Sequence, residues 1–160
     1  MPRPLWAPWR LEYVSQADEQ SGCPLCAEAA GDVAESLVVQ RGETAFVLLN
    51  KFPYSSGHLL VAPYAHEGEL GRVADETALE IHRLGLRGIE ALRSTYAPEG
   101  FNLGWNLGRA AGAGIDEHVH LHVVPRWGGD TSFMPVLGET KVLPEHLLET
   151  RARLRAAWGA

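Results

Sequence analysis

The period of the hydrophobic positions changes several times along the chain. Three short apolar runs come first: Ser36–Gln40 (SLVVQ), Thr44–Leu49 (TAFVLL) and His58–Ala62 (HLLVA). Their length, β-branched content and flanking turn residues predict strands. Arg41-Gly42-Glu43 reads as a hairpin turn between the first two, and a Pro53–Gly57 loop leads into the third. The period then lengthens. From about Asp75 to Tyr96, apolar residues at Ile81, Leu84, Ile89, Leu92 and Tyr96 recur at roughly helical spacing and predict one long helix. Thr77 and Glu80 have the spacing of a capping box, Asp75 competes as the cap, and Pro98 ends the helix. Gly85 and Gly88 each weaken it by about 1 kcal/mol relative to alanine, so they predict a closely packed neighbour. Phe101–Leu107 and His118–Val124 read as further strands, the second closed by Pro125, with a glycine and alanine loop at Gly108–Gly114. A last helix is expected from near Pro144, a favourable first-turn residue, to about Trp158. Strands joined by short loops, with helices set apart, indicate an α+β fold on an antiparallel sheet of about five strands.

Composition narrows the class. A chain of 160 residues suits one domain, residues 1–160, and buries roughly 70% of its unfolded surface. Residues 1–20 form a Trp/Pro-rich arm in which Pro2, Pro4 and Pro8 forbid an early helix; Trp6 and Trp9 favour docking of the arm. A formal charge of −6 argues against a general nucleic-acid binder. No apolar run reaches the roughly 18 residues of a membrane helix. The two cysteines, in Cys23-Pro24-Leu25-Cys26, make no disulfide framework and fit a reduced, cytoplasmic setting.

The candidate chemistry lies in His118-Val119-His120-Leu121-His122-Val123-Val124. On a strand, the three histidines share one face and the aliphatic residues the other, with neighbouring imidazoles about 6.6–7 Å apart. Three readings stand: solvated histidines on an exposed sheet face, an all-histidine metal site, or a neutral imidazole acting as a nucleophile. In the last, a backbone carbonyl fixes Nδ1–H and leaves the Nε2 lone pair for an electrophile. The preceding loop, Asn106 to Gly114, offers backbone N–H groups with little side-chain bulk and points to an anion, a phosphate ester held beside the nucleophile.

The string His118 to Val124 resembles the signature of the histidine triad superfamily. Phe46–Asn50 and Gly57–Pro63, with eight residues from Asn50 to His58, are similar to its nucleoside-binding segment. The resemblance spans residues 23–137. LWAPWRLEYV at 5–14, CPLC at 23–26 and VPRWGGDTSFMPV at 124–136 resemble the bacterial branch that includes diadenosine tetraphosphate phosphorylases.

That resemblance implies a nucleotidyl transferase that cleaves diadenosine tetraphosphate with inorganic phosphate to ADP and ATP. It implies His120 as nucleophile, His122 as a donor to a phosphate or bridging oxygen, and His58 as a third histidine at the phosphate. Asn50 would bond the ribose; Asn106 and the Gly112, Ala113 and Gly114 backbone would hold phosphate oxygens. Gly114 stands where many family members carry glutamine, which leaves room for inorganic phosphate and speaks against a plain hydrolase. Ser132 stands where the branch carries asparagine. The resemblance also completes a metal set. Cys-x-x-Cys alone gives two ligands; with His66 and His118, Cys23 and Cys26 suit a closed, tetrahedral, structural zinc. A homodimer or higher homo-oligomer, built on the sheet edge and long helix, is implied as well.

Three functions compete: nucleotidyl transfer through His120, with water as alternative acceptor giving an AMP-releasing hydrolase; a non-enzymatic nucleotide-binding zinc module; and a metal hydrolase on three histidines. The last lacks a carboxylate base on the histidine face. His82, His146 and the Glu149–Arg155 charge cluster read as surface. Lys51, Arg109 and Arg126 read as surface charges, of which one or two offset substrate charge.

Overall fold

The computed structural model of the protein describes residues 22–32, 36–130 and 145–158. The expectations for the 1–20 arm, Ser132 and Pro144 lie outside the described residues.

A short helix, α1 (Pro24–Ala30), precedes β1 (Val38–Arg41), β2 (Ala45–Leu49) and β3 (Leu59–Pro63). The long helix α2 (Asp75–Tyr96) follows, then β4 (Gly100–Trp105), β5 (Leu121–Arg126) and α3 (Leu147–Trp158). The five strands form one sheet in the order β1-β2-β3-β5-β4, every neighbouring pair antiparallel. The chain is an α+β protein, as its pattern predicts.

Period-two alternation sorts the side chains onto two faces. Val39, Ala45, Val47, Leu49, Leu59, Val61, Leu121 and Val123 point to the face covered by α2 and α3. Val38, Phe46, Leu48, Leu60 and Ala62 point to the other, where Leu25 of α1 joins them. Leu60 pairs with His122, so the histidine face of β5 belongs to this second side. Gly85 and Gly88 let α2 approach the sheet: a Cβ there would stand 3.2 Å from Leu121 and 3.0 Å from Leu59.

Four local expectations need correction. The N-cap of α2 is Ala74, with no side-chain cap. Glu80 instead reaches across to the β1–β2 turn and accepts from the N–H groups of Glu43 (2.8 Å), Thr44 (2.6 Å) and Ala45 (3.1 Å) and from the Thr44 hydroxyl. Three turn amides outcompete a cap that one carboxylate could satisfy only once. Strand β5 begins at Leu121, not His118, and runs through Pro125 to Arg126. His118 sits opposite the end of β3, where Pro63 has no N–H and its carbonyl accepts from the His118 ring; Val119 N–H goes to the Glu67 carbonyl. Helix α3 starts at Leu147, and the charge cluster is more than a solvated face: Arg151 reaches the Ser36 carbonyl, and Arg153 bonds Glu145 at 2.8 Å and covers the Tyr96 ring.

Candidate active site

Four histidines, His58 just before β3, His118 and His120 just before β5, and His122 within it, come together on the sheet, and all four are buried. β3 and β5 are neighbours, and His58, just before β3, lies two residues from Leu60, the register partner of His122, and so on the same face. Their rings lie 5.1 Å apart between centroids, and His120 lies 4.9 Å from His122.

The partners of each ring assign its tautomer, because a carbonyl only accepts and a backbone N–H only donates. His120 Nδ1 lies 2.8 Å from the His118 carbonyl. It therefore carries the proton, and Nε2 keeps the lone pair. Burial lowers the His120 pKa below the ordinary imidazole value, against the opposing pull of that carbonyl, so the neutral form is favoured. His58 Nδ1 accepts the Tyr54 N–H at 3.0 Å. Its proton is then on Nε2, which lies 2.9 Å from His122 Nδ1 and donates to it. His122 Nδ1 is consequently the acceptor, and its own proton is on Nε2. Two adjacent imidazoles thus carry opposite chemistry at Nε2: a lone pair on His120, a donor on His122.

His118 is turned the other way. Its Nε2 donates to the Pro63 carbonyl at 2.8 Å, which leaves the Nδ1 lone pair facing Cys23 Sγ at 3.3 Å and Cys26 Sγ at 3.6 Å. His66 Nδ1 lies 3.4 Å from Cys26 Sγ. The ligand atoms of Cys23, Cys26, His66 and His118 all fall within 4.8 Å of one another. Tetrahedral zinc with ordinary Zn–S and Zn–N bonds holds sulfur and nitrogen about 3.6 Å apart. The cluster fits that spacing, and a carbonyl on the far nitrogen of a histidine is the usual outer support of such a ligand.

A domain model for the HIT domain matches residues 32–129. This chain belongs to the histidine triad family. A HIT relative from Mycobacterium tuberculosis named AP-4-A phosphorylase is 38% identical, over 97% of this chain and 84% of its own. The adenosine 5'-monophosphoramidase hnt1 of Schizosaccharomyces pombe is 33% identical over 65% of this chain and 74% of its own. Among solved structures, a zinc-bound histidine triad protein from Mycobacterium smegmatis superposes with a TM-score of 0.70 at 30% identity, covering 86% of this chain and 94% of that one.

Within this HIT fold the remaining predicted residues fall as follows. Asn50 Oδ1 accepts the Phe52 N–H at 2.9 Å, and its amide nitrogen lies 3.3 Å from His58 Nδ1. Asn106 reaches the Gly112 carbonyl at 3.5 Å. Of the expected anion nest of Gly112, Ala113 and Gly114, the first two amides are turned inward, because Arg109–Ala111 winds into a 3-10 turn. The Gly112 and Ala113 amides therefore donate inward, to the carbonyls of Arg109 (2.9 Å) and Gly108 (3.3 Å). Arg109 pairs with Asp116 at 3.0 Å. Lys51 lies exposed beside Phe52.

Sequence reasoning passed over Tyr54. Its N–H fixes the His58 tautomer, and its ring stacks on His122 with centroids 5.7 Å apart and planes 9° from parallel. An aromatic four residues before a candidate histidine, inside a Pro–Gly loop, was the available signal. It also passed over Pro63, whose carbonyl aims His118, and Asn102, which holds Arg126 at 2.7 Å beside His122.

Proposed function

We propose that the protein is a nucleotidyl transferase that cleaves diadenosine tetraphosphate with inorganic phosphate, giving ADP and ATP. The carrying observation is the opposed pair of Nε2 atoms on His120 and His122. In the first step, the His120 Nε2 lone pair forms a bond to the α-phosphorus. The bond from that phosphorus to the bridging oxygen breaks, and its electrons leave with ATP. The His122 Nε2–H donates to the oxygen on which charge grows. In the second step, an oxygen of inorganic phosphate attacks the same phosphorus, the N–P bond breaks, and the electron pair returns to His120. Asn106 supplies a further donor toward phosphate oxygens, and Asn50 meets the ribose. His58 holds His122 in its donating tautomer.

Cys23, Cys26, His66 and His118 would hold a structural zinc. Four protein ligands close its coordination, so the ion supplies fold stability and a fixed His118 and takes no part in bond making. Both cysteines are free thiols, which suits a reducing cytoplasm. Edge strand β4 leaves Leu103 exposed, and α2 leaves Leu79 and Leu86 exposed, which supports a homodimer or higher homo-oligomer joined through the sheet edge and long helix.

The test is a product assay on diadenosine tetraphosphate with and without inorganic phosphate. ADP plus ATP, formed only with phosphate, is expected. AMP plus ATP regardless of phosphate would make water the acceptor and the protein a hydrolase. No turnover would leave a nucleotide-binding module.

A further inference from the structure

A cavity of about 370 Å³ opens beside His122. His122 lines it and His120 does not; Ser55, Asn102, Asn106, Arg126 and Asp130 complete its polar wall. Arg126 is the cation of this wall. The sequence alone classes it as a surface charge, yet its guanidinium is held in place: NH1 donates to Asn102 Oδ1 at 2.7 Å, and Nε and NH2 donate to the Asp130 carboxylate at 2.6 and 3.0 Å. A guanidinium has five N–H groups. Three are engaged by these bonds, which fix the fork and leave it capacity for an anion.

Resting on the nucleotidyl-transfer reading above, we propose that this cavity binds the phosphoryl group lying beyond the transferred nucleotidyl unit, with Arg126 as the specificity-determining contact. Both half-reactions are in-line displacements at one phosphorus with His120 on one side. The departing oxygen of the first step and the entering oxygen of the second therefore occupy the same position, opposite His120. His122, with its proton on Nε2, marks that position, and the cavity continues outward from it. The polyphosphate of the leaving nucleotide occupies the cavity first. Inorganic phosphate replaces it and attacks the nucleotidyl-histidine. Arg126 and Asn102 give phosphate an advantage over water as acceptor, since a planar guanidinium fork binds phosphate oxygens and has no comparable hold on a neutral water.

Two substrates separate the two occupants. Adenosine 5'-(p-nitrophenyl phosphate) has a leaving group without phosphate; diadenosine tetraphosphate has one with it. With the nitrophenyl ester and no phosphate, Arg126→Gln should release p-nitrophenol in the first turnover at a rate within about twofold of the unsubstituted protein. When inorganic phosphate is then titrated, the ratio of ADP to AMP should fall by about tenfold or more in Arg126→Gln. Asn102→Ala should lower it in the same direction. With diadenosine tetraphosphate, KM should also rise in Arg126→Gln. Arg126 projects from a strand end with its side chain 47% exposed, so the variant should keep the parent melting temperature. An unchanged ADP to AMP ratio in both variants overturns this inference and leaves nucleotidyl transfer standing. A nitrophenol release that falls as far as the ratio does reduces Arg126 to a structural support. If the unsubstituted protein forms no ADP at any phosphate concentration, the proposal fails together with the reading beneath it.

Discussion

The carbonyl of His118 accepts the Nδ1–H of His120 at 2.8 Å, while the ring of the same His118 faces two cysteine sulfurs. One residue therefore belongs to both halves of the site. Its backbone sets which nitrogen of His120 keeps a lone pair; its side chain belongs to the thiol cluster that ties α1 to the sheet.

This coupling predicts that zinc held by Cys23, Cys26, His66 and His118 would support catalysis without entering it. Treatment with a strong chelator, or Cys23→Ser with Cys26→Ser, should lower the melting temperature. It should also lower turnover by about 10–100-fold, the usual effect of loosening the support of a metal site or its neighbours. Elemental analysis of protein purified without chelator should find about one zinc per chain under this account. Turnover and melting temperature that both survive complete removal of metal would contradict it.

His58 should act through His122. His58→Ala removes the Nε2–H that holds His122 Nδ1 as an acceptor, and kcat should fall by about 10²-fold with little change in KM. His58→Gln keeps an N–H donor near that place and should lose less. Equal losses in the two variants, or a KM effect with kcat intact, would argue that His58 only fills space.

The Glu80 carboxylate should govern part of the acid stability. Burial raises its pKa, but the bonds from the Thr44 hydroxyl and from the amides of Glu43, Thr44 and Ala45 outweigh that, and the carboxyl ionises below its ordinary range. A folded pKa lowered in this way stabilises the protein above the unfolded value, about 4.3 for glutamate, and the stabilisation is lost as pH falls through the folded pKa. Glu80→Gln should cost about 0.5–1 kcal/mol at neutral pH, since solvent screens bonds at this exposed site, and should flatten the acid limb of the stability curve. Urea titrations from neutral pH to below the carboxylate range would read this directly; parallel acid limbs would contradict it.

Much of this was legible in the chain. Helix α2 came out of the periodicity with the bounds the structure shows, because its apolar stripe and its closing Pro98 are local signals. The two-faced strands β2 and β3 followed for the same reason. What stayed hidden depends on partners distant in sequence. Glu80 reads as a capping residue until a turn 35 residues away brings three amides to it. His118 reads as a strand residue until Pro63 supplies a carbonyl for its ring and no amide for the ladder. The glycine loop reads as an open nest, yet its Gly112 and Ala113 amides fold back on its own carbonyls. Arg126 reads as a surface charge, since Asn102 and Asn106, which bring β4 to the cavity wall beside it, are distant in sequence. The His120 tautomer is a local matter, set by a carbonyl two residues away; those of His118 and His122 depend on Pro63 and His58, 55 and 64 residues distant.

All of the proposed chemistry passes through a covalent bond at one nitrogen. Protein incubated with diadenosine tetraphosphate in the absence of phosphate, where the second step has no acceptor, and quenched in acid-free conditions should gain the mass of one adenylyl group. Peptide mapping should place that group on His120. His120→Asn should lose both the adduct and turnover, by at least about 10³-fold, with the same metal content as the unsubstituted protein. An adduct on another residue, or turnover that persists in His120→Asn, would contradict the account.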